Sequence, residues 1–103
     1  MQLHIKGHHV ELTPALKELV ESKMQKVERH FPHITNVEVI LNVVGKNEHK
    51  AEAELSLPSS KNKIFAEATS ENMYKSIDGM ISKLDAQVRK HKEKLNHHDD
   101  DIL

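Results

Sequence analysis

Residues 71–95 read ENMYKSIDGMISKLDAQVRKHKEKL, and their apolar side chains recur at spacings of three, four and seven. This spacing is typical of an amphipathic helix that buries one stripe. The stripe consists of Met73, Ile77, Met80, Ile81, Leu84, Val88 and Leu95. Ser70 precedes the helix as a candidate N-cap, and Glu71 is favourable at the positive end of the helix dipole.

Positive charge is concentrated in the second half of this helix, although the whole chain has a net charge of −1. The stretch 83–94 contains five basic residues against only Asp85 and Glu93. Three of the sixteen acidic residues lie at 99–101, and without them 15 basic residues face 13 acidic ones. A concentrated basic surface on a near-neutral protein indicates an anionic partner, usually phosphate.

Length and composition restrict the class of protein. A chain of 103 residues can bury about two-thirds of its unfolded surface and fold as one domain. The absence of cysteine excludes disulfides, thiolate zinc sites and a thiol nucleophile. No apolar run approaches the roughly 20 residues that span a bilayer, and the N-terminus lacks the apolar core of a signal peptide. We therefore expect a soluble, cytoplasmic protein with no membrane partner.

Upstream of the last helix, residues alternate between apolar and polar in four short segments, which indicates strands. Thr13-Pro14 is an N-cap followed by proline at the first helical position, and Pro32 prevents that first helix from continuing. The predicted elements before residue 71 are a strand at 2–6, a helix at 14–30, and strands at 37–44, 50–57 and 62–69.

The order β-α-β-β-β-α predicts an α+β fold in which a four-stranded sheet carries both helices on one face. The first strand joins the sheet by a right-handed crossover, parallel to a neighbour. The predicted binding surface is the helix pair and the groove between the helices. We assign residues 1–95 to this domain and residues 96–103 to an acidic tail without regular structure. The opposite, outer face of the sheet would present Gln2, His4, Lys6, Glu38, Asn42, Glu52 and Glu54.

The sequence offers little for enzymatic or metal chemistry. Only three glycines are present and none forms a phosphate-cradling loop, nor does a Ser-His-Asp arrangement stand out. The pairs His8-His9 and His97-His98 do not fix the three or four ligands of a metal site. We expect no catalysis, no cofactor, no metal and no small-molecule substrate. Tyr74 is interpreted as a half-buried core residue rather than a platform for base stacking.

Several segments resemble the short ribosome hibernation promoting factors, in the family of ribosome-associated inhibitor A and the so-called sigma-54 modulation proteins. The resemblance covers residues 1–95, and the family's fold has the order β-α-β-β-β-α. The matching segments are MQLHIKG at 1–7, ELTPAL at 11–16, NMY at 72–74 with IDG at 77–79 and KL at 83–84, and KHKEKL at 90–95.

The resemblance implies a factor that binds the small ribosomal subunit near the decoding centre in stationary phase or stress. It would block messenger RNA and transfer RNA and so arrest translation. Its partners would be 30S and 70S ribosomes and 16S rRNA, and off the ribosome it would be a monomer. Relatives commonly have arginine in place of Ala86, and Arg89, one turn further on, supplies a shifted charge. The rRNA contacts carried over to this chain are Lys23, Lys26, Arg29, Lys83, Arg89, Lys90, Lys92 and Lys94.

Within the family, residues 90–92 resemble the short type, which favours 100S dimers together with a separate modulation factor. The inhibitor-A type, which arrests 70S ribosomes and opposes dimerisation, is the alternative. Outside the family, the basic helices also fit a protein-interaction module that docks on an acidic protein, or a general binder of double-stranded RNA. Salt-dependent binding to rRNA separates the protein-interaction module from the RNA binders.

Overall fold

The computed structural model describes residues 1–58 and 63–102, with side chains described as far as His91. The predicted order of elements is confirmed, and four strands form one sheet in the order β1-β2-β3-β4. β1 is parallel to β2, as predicted, and the other neighbours are antiparallel. The elements are β1 (Gln2–His8), α1 (Pro14–His30), β2 (Asn36–Gly45), β3 (Glu48–Ser56), β4 (Ile64–Ser70) and α2 (Met73–Ile102).

Both helices pack on one face of the sheet, and the hydrophobic core lies between the helices and that face. Alternate residues of the strands point to opposite faces, and in β2 and β3 the set that faces the helices is buried. Small residues on β3 and β4 let α2 approach closely: a Cβ added at Gly79 would lie 3.0 Å from the Cβ of Ala68. The fully buried centre includes Val20, Met24 and Val27 of α1, Val37, Val39 and Leu41 of β2, and Ile77, Met80 and Leu84 of α2.

The two helices run in the same direction. β1 and β4 are parallel to each other through the sheet, and each is followed by a helix that returns across the same face. Two contacts between the helices fit this geometry: Lys23 faces Asp78, and His30 faces Asp85, seven residues further along both helices. Groups that repeat every seven residues therefore line a common seam.

The helix starts follow capping chemistry, with one correction to the sequence prediction. Thr13 caps α1 as predicted, since its Oγ1 accepts a hydrogen bond from the Leu16 N–H at 3.2 Å. α2 is capped by Asn72, whose Oδ1 accepts from the Tyr74 N–H at 2.8 Å, so the prediction of Ser70 was wrong. Ser70 still pairs with β3 as the last residue of β4, and the helix cannot begin until the chain has turned.

The backbone of α2 is helical as far as Ile102, where we expected a tail without regular structure from residue 96. The sequence has no glycine or proline after Gly79, so nothing in this stretch forces the helix to end. The division of the chain into a domain at 1–95 and an acidic segment at 96–103 stays a prediction.

The outer face of the sheet carries several acidic residues, and it also carries the apolar residues Ile40, Val44 and Phe65, of which Val44 and Phe65 are exposed. Glu38 is opposite Glu54, and Glu52 is opposite Glu67, in neighbouring strands. Lys50 relieves the second of these like-charge pairs, with its Nζ 3.0 Å from Glu52 and 3.3 Å from Glu67.

Candidate nucleic-acid interface

The candidate interface is the groove between the two helices on the side away from the sheet. We define the interhelical groove by Lys23, Lys26 and His30 of α1 together with Asp78, Asp85 and Arg89 of α2. Its floor consists of the buried stripes of both helices, which fix the spacing of the charged groups above them. Because basic and acidic residues both repeat along this seam, the groove is not uniformly positive.

The two acidic residues of the groove each hold a basic side chain. Asp78 Oδ1 lies 3.0 Å from Lys23 Nζ, an ion pair that joins the two helices. Asp85 Oδ2 lies 3.1 Å from Arg89 Nε, one turn further along α2. Lys23 and Arg89 therefore both lie in the groove, but each already has an anionic partner. Such exposed pairs contribute at most about 1 kcal/mol, so a phosphate can compete for the basic residue.

Three other predicted residues are exposed on the helices without an acidic partner. Lys26, Arg29 and Lys90 form no ion pair within the part of the chain whose side chains are described. Lys90 also lines an open depression beside the groove, together with Ser82, Asp85, Ala86 and Arg89. Ala86, where the resemblance places an arginine, thus shares one depression with Arg89, so a positive charge is kept in the same place.

Lys83 lies on the other flank of α2 and does not line the interhelical groove. Its Nζ donates a hydrogen bond to the backbone carbonyl of Glu67 at 2.9 Å, and Gln87 Nε2 donates to the carbonyl of Phe65 at 2.7 Å. Both carbonyls belong to β4, which is an edge strand. The two side chains therefore cover polar groups that an edge strand would otherwise expose for pairing.

The predicted contacts Lys92 and Lys94 lie in the helical backbone of α2, but their side chains fall outside the described residues. Tyr74 is 49% exposed, so it is half-buried as expected, but it does not belong to the buried core. The buried stripe at the start of α2 runs through Met73, Ser76 and Ile77, which leaves Tyr74 beside it rather than in it.

Sequence reasoning missed His30, Asp78 and Asp85 as members of the groove. A signal for them existed, because Lys23 and His30 are seven residues apart on one helix and the two aspartates are seven apart on the other. Seven-residue spacing keeps side chains on one helix face. Matching the two helices, however, required the parallel orientation that only the folded sheet fixes.

Residues 3–96 match the family model described as "Sigma 54 modulation protein / S30EA ribosomal protein". The chain belongs to this family. It is 47% identical over 94 residues to the ribosome hibernation promoting factor of Pseudomonas putida, covering 91% of this chain and 89% of that protein. The factor of the same name from Escherichia coli is 44% identical over 98 residues, covering 95% of this chain and all of that protein.

Solved structures agree with this assignment. A ribosomal subunit interface protein from Coxiella burnetii superposes with a TM-score of 0.82 at 33% identity, covering 90% of this chain and 99% of that chain. The N-terminal domain of Protein Y from Thermus thermophilus gives a TM-score of 0.79 at 25% identity, covering 88% and 99%. This family member is thus similar to ribosome-associated proteins along nearly its whole fold. Among the described residues, no helix is long and apolar enough to cross a membrane.

Proposed function

We propose that this family member is a ribosome hibernation factor that arrests translation in the cytoplasm during stationary phase and stress. It binds 16S rRNA in the 30S and 70S ribosome near the decoding centre, as a monomer before binding, and blocks messenger RNA and transfer RNA. Membership of the family and the names of the similar proteins support ribosome association. The proposal gives the chain no catalytic step, cofactor or metal.

One observation carries the choice of surface: exposed cations without an acidic partner among the described side chains lie on the helix side, whereas several glutamates lie on the outer sheet face. Lys26, Arg29 and Lys90 are exposed on the helix side, while the outer sheet face holds Glu38, Glu52, Glu54 and Glu67. A phosphate surface attracts the first side and repels the second, so the protein is oriented before it makes close contact. The helix pair, rather than the sheet, therefore faces rRNA.

We further propose that the factor is of the short type, which promotes 100S dimers. The support is the 44% identity to the Escherichia coli hibernation promoting factor along that protein's full length. A factor of the inhibitor-A type would bind through the same helices and oppose dimerisation. Sucrose gradients that measure the amount of 100S particles therefore distinguish the two types.

The test of the binding surface is a matched pair of double charge reversals. Lys26→Glu with Lys90→Glu removes two exposed cations from the helix side. Lys6→Glu with Lys46→Glu makes the same change in net charge on the outer face and in the β2–β3 turn, where both lysines are exposed. We expect the first variant to bind purified 30S subunits roughly 100-fold more weakly. Its affinity should also depend less steeply on salt concentration, by an amount that corresponds to the loss of about two phosphate contacts, whereas the second variant should bind normally.

Three results would contradict the proposal: equal loss of affinity in both variants, affinity that does not change with salt, or sedimentation of the wild-type protein away from 30S particles. Competition with duplex RNA completes the test. A general binder of double-stranded RNA would be displaced by excess duplex, whereas a ribosome-specific factor would remain on the subunit.

A further inference from the structure

We propose that His30 contributes to the phosphate-binding surface when it is protonated. Asp85 is the positioning residue: it pairs with protonated His30, and Arg89 is thereby released to bind phosphate. This inference rests on the proposed function, because it requires the interhelical groove to meet phosphate. It adds a binding residue that the pattern of lysines and arginines does not reveal.

The geometry is a three-residue cluster that joins the end of α1 to α2. Asp85 Oδ2 lies 3.1 Å from Arg89 Nε. Asp85 Oδ1 is buried, accepts no hydrogen bond from the described part of the chain, and lies 4.0 Å from His30 Nε2. The same His30 nitrogen lies 3.5 Å from Arg89 Nη2. His30 Nε2 therefore has an anion and a cation within reach, and its protonation decides which contact is favourable.

When His30 is neutral with its lone pair on Nε2, that nitrogen can accept a hydrogen bond from Arg89 Nη2. Arg89 is then held from two sides, by Asp85 and by His30, and the net charge of the cluster is zero. The guanidinium that should meet phosphate is occupied within the protein.

When His30 is protonated, both ring nitrogens donate, and Nε2 can no longer accept from Arg89. It then pairs with the vacant Oδ1 of Asp85, and a movement of roughly 1 Å brings the 4.0 Å separation to the length of a charge-assisted hydrogen bond. The net charge of the cluster becomes +1. The two cations repel each other, and Arg89 turns its terminal nitrogens towards the groove opening, where a phosphate can bind them bidentately.

The surroundings of His30 are mixed in charge. His30 lies in the last turn of α1, where the partial negative charge of the helix end favours a cationic side chain. Among the described residues, Asp85 and Arg89 of α2 face His30, and Lys26 and Arg29 precede it in the last turns of α1. The rings of His33 and His91 both pack against Phe31, the residue that follows His30.

The experiment measures affinity for purified 30S subunits at pH 5.8 and pH 7.8 over a series of salt concentrations. The proteins are the full chain, His30→Gln, Asp85→Asn, and the control His4→Gln on the exposed outer face. We expect the full chain to bind about fivefold more tightly at the lower pH. The plot of log affinity against log salt concentration should also be steeper by about 0.7 to 0.9, because one more phosphate is neutralised. His4→Gln should retain both changes.

His30→Gln should lose both changes, so that its affinity and its salt dependence are the same at pH 5.8 and at pH 7.8. Asp85→Asn should bind more tightly than the full chain at pH 7.8, because Arg89 loses its carboxylate partner and the groove loses one negative charge, and it should show a smaller pH effect. A full pH effect in His30→Gln, or equal weakening of that variant at both pH values, overturns the inference while ribosome binding stands. Failure of the full chain to bind at either pH would instead remove the proposed function.

Discussion

Asp78 places a negative charge within the surface that we propose binds phosphate, at 3.0 Å from Lys23. Replacing it by asparagine frees Lys23 and removes one repulsive charge, so we predict that Asp78→Asn binds 30S subunits several-fold more tightly, with a salt slope steeper by about one contact. Stability should change by less than about 1 kcal/mol because the pair is exposed.

The control for this variant is Glu71→Gln, which breaks an equally exposed pair with Lys75 at 3.2 Å outside the interhelical groove. Filter binding at three salt concentrations measures both variants. Unchanged affinity in Asp78→Asn would mean that Lys23 does not contact rRNA.

Lys50 forms ion pairs with Glu52 and Glu67 on the outer face of the sheet. Hydrogen bonds to Glu52 and Glu67, followed by their Coulombic attraction, raise the pKa of Lys50 above its ordinary value of 10.5. A raised pKa means that the charged form stabilises the fold below pH 10.5, and that this contribution is lost as the pH rises through the raised value. We predict that Lys50→Gln lowers Tm at pH 7 and that its difference from the wild type shrinks towards pH 11. A difference that stays constant would show that the ion pairs do not stabilise the sheet.

At the scale of elements, α2 has two flanks with different tasks. Lys83 and Lys90 are seven residues apart and looked equivalent in the sequence, yet Lys83 bonds to the carbonyl of Glu67 on the edge strand. We predict that Lys83→Met, which keeps the aliphatic stem, lowers the free energy of unfolding by about 0.5 to 1.5 kcal/mol and changes 30S affinity little.

Lys90→Met provides the comparison for Lys83→Met, since it should leave stability unchanged and reduce affinity. Urea unfolding and 30S binding of both variants separate the two roles. A large loss of affinity in Lys83→Met would return this residue to the rRNA contacts carried over from the family.

The helices and strands could be predicted from the sequence, but some contacts between them could not. Alternation and helical spacing gave all six elements, because each strand and helix buries one stripe whose period is local. Ser70 and Asn72 are both good capping residues, and the choice between them depended on how far β4 pairs with β3. The target of Lys83 likewise depended on where the sheet edge lies beneath α2. Charge identifies a candidate residue, but only tertiary packing shows which group it meets.

At the scale of the whole molecule, several glutamates lie on the outer sheet face, whereas Lys26, Arg29 and Lys90 lie on the helix side without an acidic partner among the described side chains. The segment 99–101 adds three aspartates beyond the basic end of α2. Residues 96–102 are helical, so these seven residues extend the helix by only about 10 Å, whereas an extended chain of the same length would span roughly 25 Å. A short acidic extension is repelled by phosphate and should lie away from rRNA.

We therefore predict that truncation after Leu95 leaves 30S binding and translational arrest nearly unchanged, because the acidic segment neither reaches far nor attracts RNA. Formation of 100S particles with the modulation factor should be unchanged or slightly increased. Sucrose gradients of ribosomes with the full-length and truncated proteins, run side by side, provide the measurement. If truncation instead raises 100S formation sharply from near zero, the acidic segment opposes dimerisation. The chain would then act as the inhibitor-A type, because a segment whose removal permits dimers is one that opposes them in the full-length protein.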